Sequence, residues 1–279
     1  MTLGIRHVSP SIGTEVEGLD LSQPLTEDQV EELRLLFLER MVLVFRGQSL
    51  NREQHKRFAN YFGELHVHPS RRNGMSQTDP EMFIIDTPSD AKWTNGETWH
   101  SDVSCEEIPP LASLLYVSKV PANGGGDTLF ANMYEAYALL SESLKYYLLN
   151  CSAYHDGEKD LRQYGIKLRA GQDYPASSHP VVVAHPDTGK PVLFVNESFT
   201  SHIEGVAPWE SRMLLEGLNN FVASNQRIQC RVKWTQNTLV MWDNRCVQHQ
   251  AIRDYEGYAR YAERVSIVDT KSPLLAHSG

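Results

Sequence analysis

Gln229-Cys-Arg-Val-Lys-Trp234, followed after Thr235-Gln-Asn-Thr238 by Leu239-Val-Met-Trp242, is the stretch on which the fold turns. Its first run alternates strictly, polar on one face and apolar on the other, which is the period of a half-buried strand. The second run reads as another strand. Outward from it the same texture repeats in Met82-Phe-Ile-Ile85, Ala112-Ser-Leu-Leu-Tyr-Val117, Val181-Val-Val183 and Arg260 to Val268. Pro191-Val-Leu-Phe-Val195 follows Pro186-Asp-Thr-Gly-Lys190, the composition of a hairpin turn. Helices are expected mainly near the N-terminus. Thr26 and Gln29 have capping-box spacing, Leu25 and Val30 sit where a hydrophobic staple closes, and Leu33, Leu36 and Phe37 continue one apolar face. Met41-Val-Leu-Val-Phe45 then reads as a buried strand, and Arg52 to Phe62 as a helix between the N-cap Asn51 and the stop Gly63. Pro208 to Ala223 is a further helix, with Leu214, Leu218, Phe221 and Val222 on one side. The fold class is therefore mainly β with peripheral helices, a sandwich or jelly-roll barrel. No repeat or low-complexity tract divides residues 1–279, so a single domain is expected.

Composition narrows the function classes. The chain has 279 residues and a net charge of −9, which argues against general affinity for nucleic acid or anionic membrane. An anionic ligand must then be held by a local basic pocket. No apolar run reaches the roughly 18 residues of a membrane span, and the first residues lack the layout of a signal peptide. Cys105, Cys151, Cys230 and Cys246 form no C-x-x-C pair, so a reduced cytoplasmic protein is expected.

Glu97-Thr-Trp-His100-Ser-Asp102 carries the chemistry. In an extended segment residues i and i+2 share a face, so the His100 imidazole and the Asp102 carboxylate can converge on divalent iron, zinc or manganese. His185-Pro-Asp187 repeats the pattern, but it runs into Thr188-Gly189 and reads as an exposed turn. His66-Val-His68 is a third same-face pair, of which His68 could line a substrate site. A third ligand must come from elsewhere, and His249 follows the strand ending at Trp242. Arg260 and Arg264, four residues apart on one strand, point to the same face. Trp99 and Trp242 are expected to pack in the core, and Cys105 and Cys246 to be buried thiols. Gly124-Gly-Gly126 permits close backbone approach, fits no nucleotide-binding pattern, and on its own is equally a tight turn.

These residues resemble the TauD/TfdA group of iron(II)- and 2-oxoglutarate-dependent dioxygenases, which includes taurine and phenoxyacetate dioxygenases. The resemblance spans nearly the whole chain, through Val42-Leu-Val-Phe-Arg-Gly47, Phe62-Gly-Glu-Leu65, Trp99-His-Ser-Asp102, Gly125-Gly-Asp-Thr128, Leu193-Phe-Val-Asn196 and Trp242-Asp-Asn-Arg245 with His249. It implies a double-stranded β-helix, with His100, Asp102 and His249 holding Fe(II) and Thr128 and Arg260 holding the distal carboxylate of 2-oxoglutarate. It further implies that Arg264 faces an anionic group of the substrate and that His68, Asn95, Val103 and Phe199 lie at the substrate pocket. Related halogenases lack the metal-binding carboxylate, so Asp102 implies hydroxylation, or hydroxylation that collapses to cleavage. Arg71 and Arg72 lie in a polar loop running to about Pro80, where the taurine enzyme carries an aromatic residue. This departure points away from taurine itself, and Arg71 could close over a second negative group. The implied cosubstrates are 2-oxoglutarate and O2, and the implied substrate is a sulfonate, sulfate ester or (phenoxy)carboxylate. Family members are often dimers or tetramers, so a homo-oligomer is expected. Two other classes remain open on the residues: a metal-dependent hydrolase or lyase using the same triad on water, and an inert barrel that binds a small acid.

Overall fold

The Thr26 hydroxyl accepts the backbone N–H of Gln29, and the Gln29 side-chain oxygen accepts that of Thr26, so helix Glu27–Arg40 starts at the capping box written in its sequence. In the computed structural model, which describes residues 3–72, 78–168 and 172–276, the helix ends at Met41. With φ at 61°, Met41 turns the chain directly into strand Val42–Phe45. Helix Arg52–Asn60 begins at an equivalent box between Asn51 and Gln54. It stops short of Gly63, where a Cβ would stand 2.8 Å from Cγ2 of Ile267.

Eight strands form the larger sheet. Its path runs Gly4–His7, Thr14–Glu17, Val42–Phe45, Thr238–Asp243, Ala112–Lys119, Arg260–Ile267 and Leu65–His66, with Phe83–Thr87 pairing the first half of Arg260–Ile267. Thr14–Glu17 pairs in parallel with Val42–Phe45, and the other pairings are antiparallel. Both faces of this sheet are covered. Leu43, Phe45, Leu114, Tyr116, Leu239 and Met241 pack on one side against Leu33, Phe37, Phe58 and Ala59 of the two helices. Their neighbours Val42, Val44, Leu115, Val117, Val240 and Trp242 face the other way. This explains why Met41–Phe45 and Leu239–Trp242 are apolar throughout instead of alternating.

The second face packs on a three-stranded sheet of Gln229–Val232, Thr128–Asn132 and Val247–Ala251, which contributes Cys230, Val232, Phe130 and Val247 to the same cluster. Gln229–Val232 buries Cys230 and Val232 and leaves Arg231 exposed, as its alternation requires. The hairpin forms as well: Val182–Ala184 pairs with Pro191–Leu193 across a turn closed at Gly189. Helix Pro208–Ser224 adds Leu215, Leu218 and Val222 to the core. Pro69–Arg72, within the stretch read as loop, forms a short helix, and residues 73–77 of that stretch lie outside the described residues. No helix among the described residues is long and apolar enough to cross a membrane. The functional side chains gather between the two facing sheets.

Candidate active site

Strand Val247–Ala251 carries His249, and His100 pairs with it through two backbone hydrogen bonds of 2.8 and 3.1 Å. The imidazole centroids are 4.0 Å apart. Asp102 does not continue an extended segment as the sequence pattern suggests. The chain turns at Val103, whose φ of 49° is a strained value for a β-branched residue. Asn244 fastens this turn, accepting the Asp102 N–H at 2.6 Å and donating to the Asp102 carbonyl at 2.8 Å. The carboxylate is thereby swung under both rings: Oδ1 lies 3.7 Å from His100 Nε2 and 4.0 Å from His249 Nε2.

Protonation suits these three groups to a cation. His100 Nδ1 lies 2.7 Å from the Thr98 carbonyl, so that nitrogen carries the proton and Nε2 presents its lone pair. Burial pushes the His249 imidazole well below its ordinary pKa, so His249 is neutral. Burial alone would raise Asp102, but the Arg264 guanidinium beside it holds it well below the usual carboxylate range. Ser113 donates to its second oxygen at 2.6 Å and is itself 2.9 Å from Ser266. Two imidazoles and one oriented carboxylate on one side of a cavity form a facial set for a divalent metal with open positions opposite.

A cavity of about 160 Å³ adjoins these ligands. On its wall Arg260 is buried, engages no carboxylate among the described residues, and leaves Nε without a partner. Burial lowers its pKa. Its guanidinium lies 5.6 Å from the Trp234 ring centroid, and the Trp234 indole N–H donates 3.0 Å to Thr128 Oγ1. That acceptance leaves the Thr128 hydroxyl proton free to donate into the cavity. Gly126, at φ +86°, passes so close that a Cβ would meet Arg260 Cδ at 3.2 Å and Tyr255 at 3.3 Å. A buried, unpaired guanidinium is costly, and a carboxylate ligand is the group that offsets it.

The other sequence-predicted residues divide. His68, Asn95, Val103, Phe199 and Arg264 all line the cavity. Arg264 is already engaged, with Nη1 2.5 Å from Asp102 Oδ1 and the guanidinium 4.9 Å from the Phe83 ring centroid. Arg71 stands outside the cavity lining and donates instead to the Asp79 carbonyl at 3.3 Å. Arg72 and His66 both pair with Glu106, at 2.6 and 2.7 Å. Trp99 packs in the core as expected, whereas Trp242 both packs there and walls the cavity, its ring centroid 4.6 Å from that of His249. The four cysteines are free and buried. His185 differs from expectation: the turn after it forms, but the imidazole is fully buried. Sequence reasoning missed Ser113 and Asp160, a carboxylate on the cavity wall, because a lone polar residue in a strand or helix carries no spacing signal.

Residues 4–266 match the model of the taurine catabolism dioxygenase TauD, TfdA family. A sulfonate dioxygenase dependent on alpha-ketoglutarate (2-oxoglutarate) from Saccharomyces cerevisiae is 36% identical over 269 residues, covering 91% of this chain. The chain spans 64% of that relative's length. A 2,4-dichlorophenoxyacetate dioxygenase from Cupriavidus pinatubonensis, also alpha-ketoglutarate-dependent, is 32% identical over 96% of this chain and 99% of its own. Among solved structures, AAD-2 in complex with Mn(II) and N-oxalylglycine superposes with a TM-score of 0.84 at 27% identity, covering 98% of this chain and all of that one. Fold and site thus define a jelly-roll, double-stranded β-helix metalloenzyme scaffold. The chain belongs to the TauD/TfdA dioxygenase family.

Proposed function

We propose that this protein is an Fe(II)/2-oxoglutarate-dependent dioxygenase, an oxidoreductase acting on a small anionic substrate such as a sulfonate, sulfate ester or (phenoxy)carboxylate. The observation that carries it is Arg260: a buried guanidinium without a carboxylate partner among the described residues, on the wall of the cavity that holds the His100–Asp102–His249 ligands. A water-activating hydrolase needs no such group. Ferrous iron and 2-oxoglutarate, when bound, supply the oxidising chemistry in which O2 is consumed, succinate and CO2 are released, and a C–H bond is hydroxylated.

The chain's own residues hold and orient. His100, Asp102 and His249 would ligate the metal, with Ser113 and Arg264 fixing the carboxylate. Arg260 and Thr128 would take the distal carboxylate of 2-oxoglutarate, the arginine by a two-bond fork and the threonine by its free O–H. Arg264 would offer the remaining part of its fork to the substrate's anion, beside His68 and the Val103 turn. Asn95 and Phe199 would contact the remainder of the substrate, while Phe83, Phe130 and Trp242 keep the reacting centre dry. Free, buried cysteines agree with a reduced cytoplasmic setting. A homo-oligomer and a single continuous domain complete the proposal.

Succinate release from 2-oxoglutarate, dependent on both Fe(II) and O2 and stimulated by a small organic acid, is the test. Arg260→Ala is expected to raise the KM for 2-oxoglutarate about 10- to 100-fold, the range of a lost charge-assisted hydrogen-bond pair. Arg264→Ala should raise the KM for the substrate and, because its Nη1 holds Asp102, weaken the metal as well. Turnover that ignores O2 would overturn the dioxygenase in favour of metal-assisted hydrolysis.

A further inference from the structure

Trp234 follows strand Gln229–Val232 by two residues and is buried behind the cavity wall, outside the cavity lining. The chain around it is pinned on both sides. The Lys233 carbonyl accepts Arg46 Nη1 at 2.6 Å, and the Asn237 carbonyl accepts the Gln48 N–H at 2.7 Å. From this fixed place Trp234 reaches both residues assigned to the distal carboxylate. Its indole N–H donates to Thr128 Oγ1 at 3.0 Å, and its ring centroid lies 5.6 Å from the Arg260 guanidinium carbon. Gly126 comes close to both the Arg260 stem and the Tyr255 ring, so that stem is confined as well.

A hydroxyl has one proton and two lone pairs. An N–H arriving from behind must meet a lone pair, which keeps the Thr128 proton from pointing backward. The Thr128 backbone is held between Val232 and Ala251, and its branched Cβ makes χ1 stiff. The strand therefore fixes the oxygen, and the freedom left is rotation of the O–H about its bond. Trp234 sets that rotor. Indole is a donor without an acceptor, so it cannot draw the proton back toward itself. Accepting its N–H also makes the hydroxyl a stronger donor, because hydrogen bonds in a chain polarise one another. The ring face meanwhile steadies the Arg260 guanidinium without neutralising it, whereas a carboxylate in that place would consume the charge a ligand needs.

We propose that Trp234 is a positioning residue that aims the Thr128 hydroxyl and backs the Arg260 guanidinium, and so strengthens the hold on a distal carboxylate it never touches. This rests on the reading of Arg260 and Thr128 as the clamp for that carboxylate. The probes are 2-oxoglutarate and 2-oxopentanoate, which carries a methyl group where the distal carboxylate stands. Binding is measured by calorimetry on Fe(II)-loaded protein without O2. Trp234→Phe keeps an aromatic face toward Arg260 and deletes the N–H. It should weaken 2-oxoglutarate about three- to tenfold, the range of one misdirected hydrogen bond to a charged group, and leave 2-oxopentanoate unchanged. Thr128→Val should show the same selective loss, and adding Trp234→Phe to it should cost nothing more. The wild type offers a reading that needs no variant to fold. With Zn(II) in place of iron, the indole N–H resonance assigned through its proximity to Thr128 should move with 2-oxoglutarate and stay with 2-oxopentanoate. Equal weakening of both acids by Trp234→Phe would overturn the proposal as a structural effect. Additive losses in the double variant, or a resonance indifferent to 2-oxoglutarate, would overturn it too. A wild-type preference for 2-oxoglutarate that survives Trp234→Phe intact would overturn the role of Trp234 alone. A wild type with no such preference would overturn the clamp itself, and this proposal with it.

Discussion

Two buried clusters among the described residues offer three metal-ligating side chains each, yet only one of the two is built to accept a metal. His100, Asp102 and His249 form the first, and His185, Asp243 and Cys246 the second, each with donor atoms within 4.8 Å of one another. The difference lies in where each imidazole keeps its proton. His100 Nδ1 donates to the Thr98 carbonyl, freeing Nε2. His185 Nδ1 instead accepts the backbone N–H groups of Asp187 and Thr188, both at 3.2 Å, so its proton sits on Nε2 and points to Asp243 at 3.1 Å. Arg245 then grips both Asp243 oxygens at 2.9 and 2.8 Å. The second cluster is a closed latch that ties the hairpin turn to strand Thr238–Asp243. Residue types do not make a metal site; the partners already taken by each nitrogen and oxygen do.

Removing one member from each cluster should give opposite outcomes. His249→Ala is expected to weaken Fe(II) binding at least about 100-fold, more than loss of a supporting residue would. It should abolish O2-dependent succinate release while leaving the thermal midpoint nearly unchanged. Asp243→Asn should do the converse. It leaves Arg245 short of its buried partner, a change that typically costs about 3–5 kcal/mol, or roughly 6–20 °C in a chain of this size. Metal affinity of the folded fraction should persist. Isothermal titration of Fe(II) without O2, beside calorimetric melting, reads both quantities. Loss of metal from Asp243→Asn at an unchanged melting temperature would erase the distinction.

The latch should also reveal itself through pH. Burial alone would raise Asp243, but its contacts with Arg245 and with His185 hold it well below the ordinary carboxylate range. A carboxyl group depressed in the folded state contributes its stability fully above the unfolded pKa, near 4, and loses it as pH falls toward the folded value. The metal-free protein should therefore become less stable on acidification below about pH 5, and Asp243→Asn should flatten that slope. Asp102 is depressed too and acts in both proteins, so the difference between the two curves isolates the latch. Parallel curves would mean that Asp243 is not what acid attacks.

Much of this contrast was legible before any coordinates, and the rest was hidden for definable reasons. His100, Asp102 and His249 stand out because ligand chemistry demands particular residue types, and the surrounding blocks fix the register. The helix starts at Thr26 and Asn51 were equally plain, since capping is local. His185 was harder: its neighbours encode a turn, and nothing local says that Asp243, 58 residues away, draws the ring inside. The same holds for Asp160, whose place on the cavity wall depends on how a short helix docks. Arg71 failed for a third reason, because proximity to His68 in sequence does not decide which way a long side chain turns. Arg264 lines the cavity, but its bond to Asp102 joins residues 162 apart, which no local pattern announces.

The smallest expected effect sharpens the comparison most. In the latch, both oxygens of Asp243 are held by a charged group, so no single neutral neighbour matters much. In the metal cup, Arg264 takes Oδ1, the same atom that faces both imidazoles, while among the described residues the neutral Ser113 alone positions Oδ2. When a cation draws Oδ1, the Ser113 bond is what prevents the carboxylate from rotating. Ser113→Ala should therefore weaken Fe(II) binding about tenfold, the low end for removing a ligand's supporting hydrogen bond. Stability should fall by only about 1 kcal/mol, because Oδ2 then loses one neutral donor. Unchanged metal affinity would show that Arg264 alone orients the carboxylate. The cup and the latch would then share one principle, a guanidinium holding an aspartate, and would differ in the protonated nitrogen of one histidine and in the third member, His249 against Cys246.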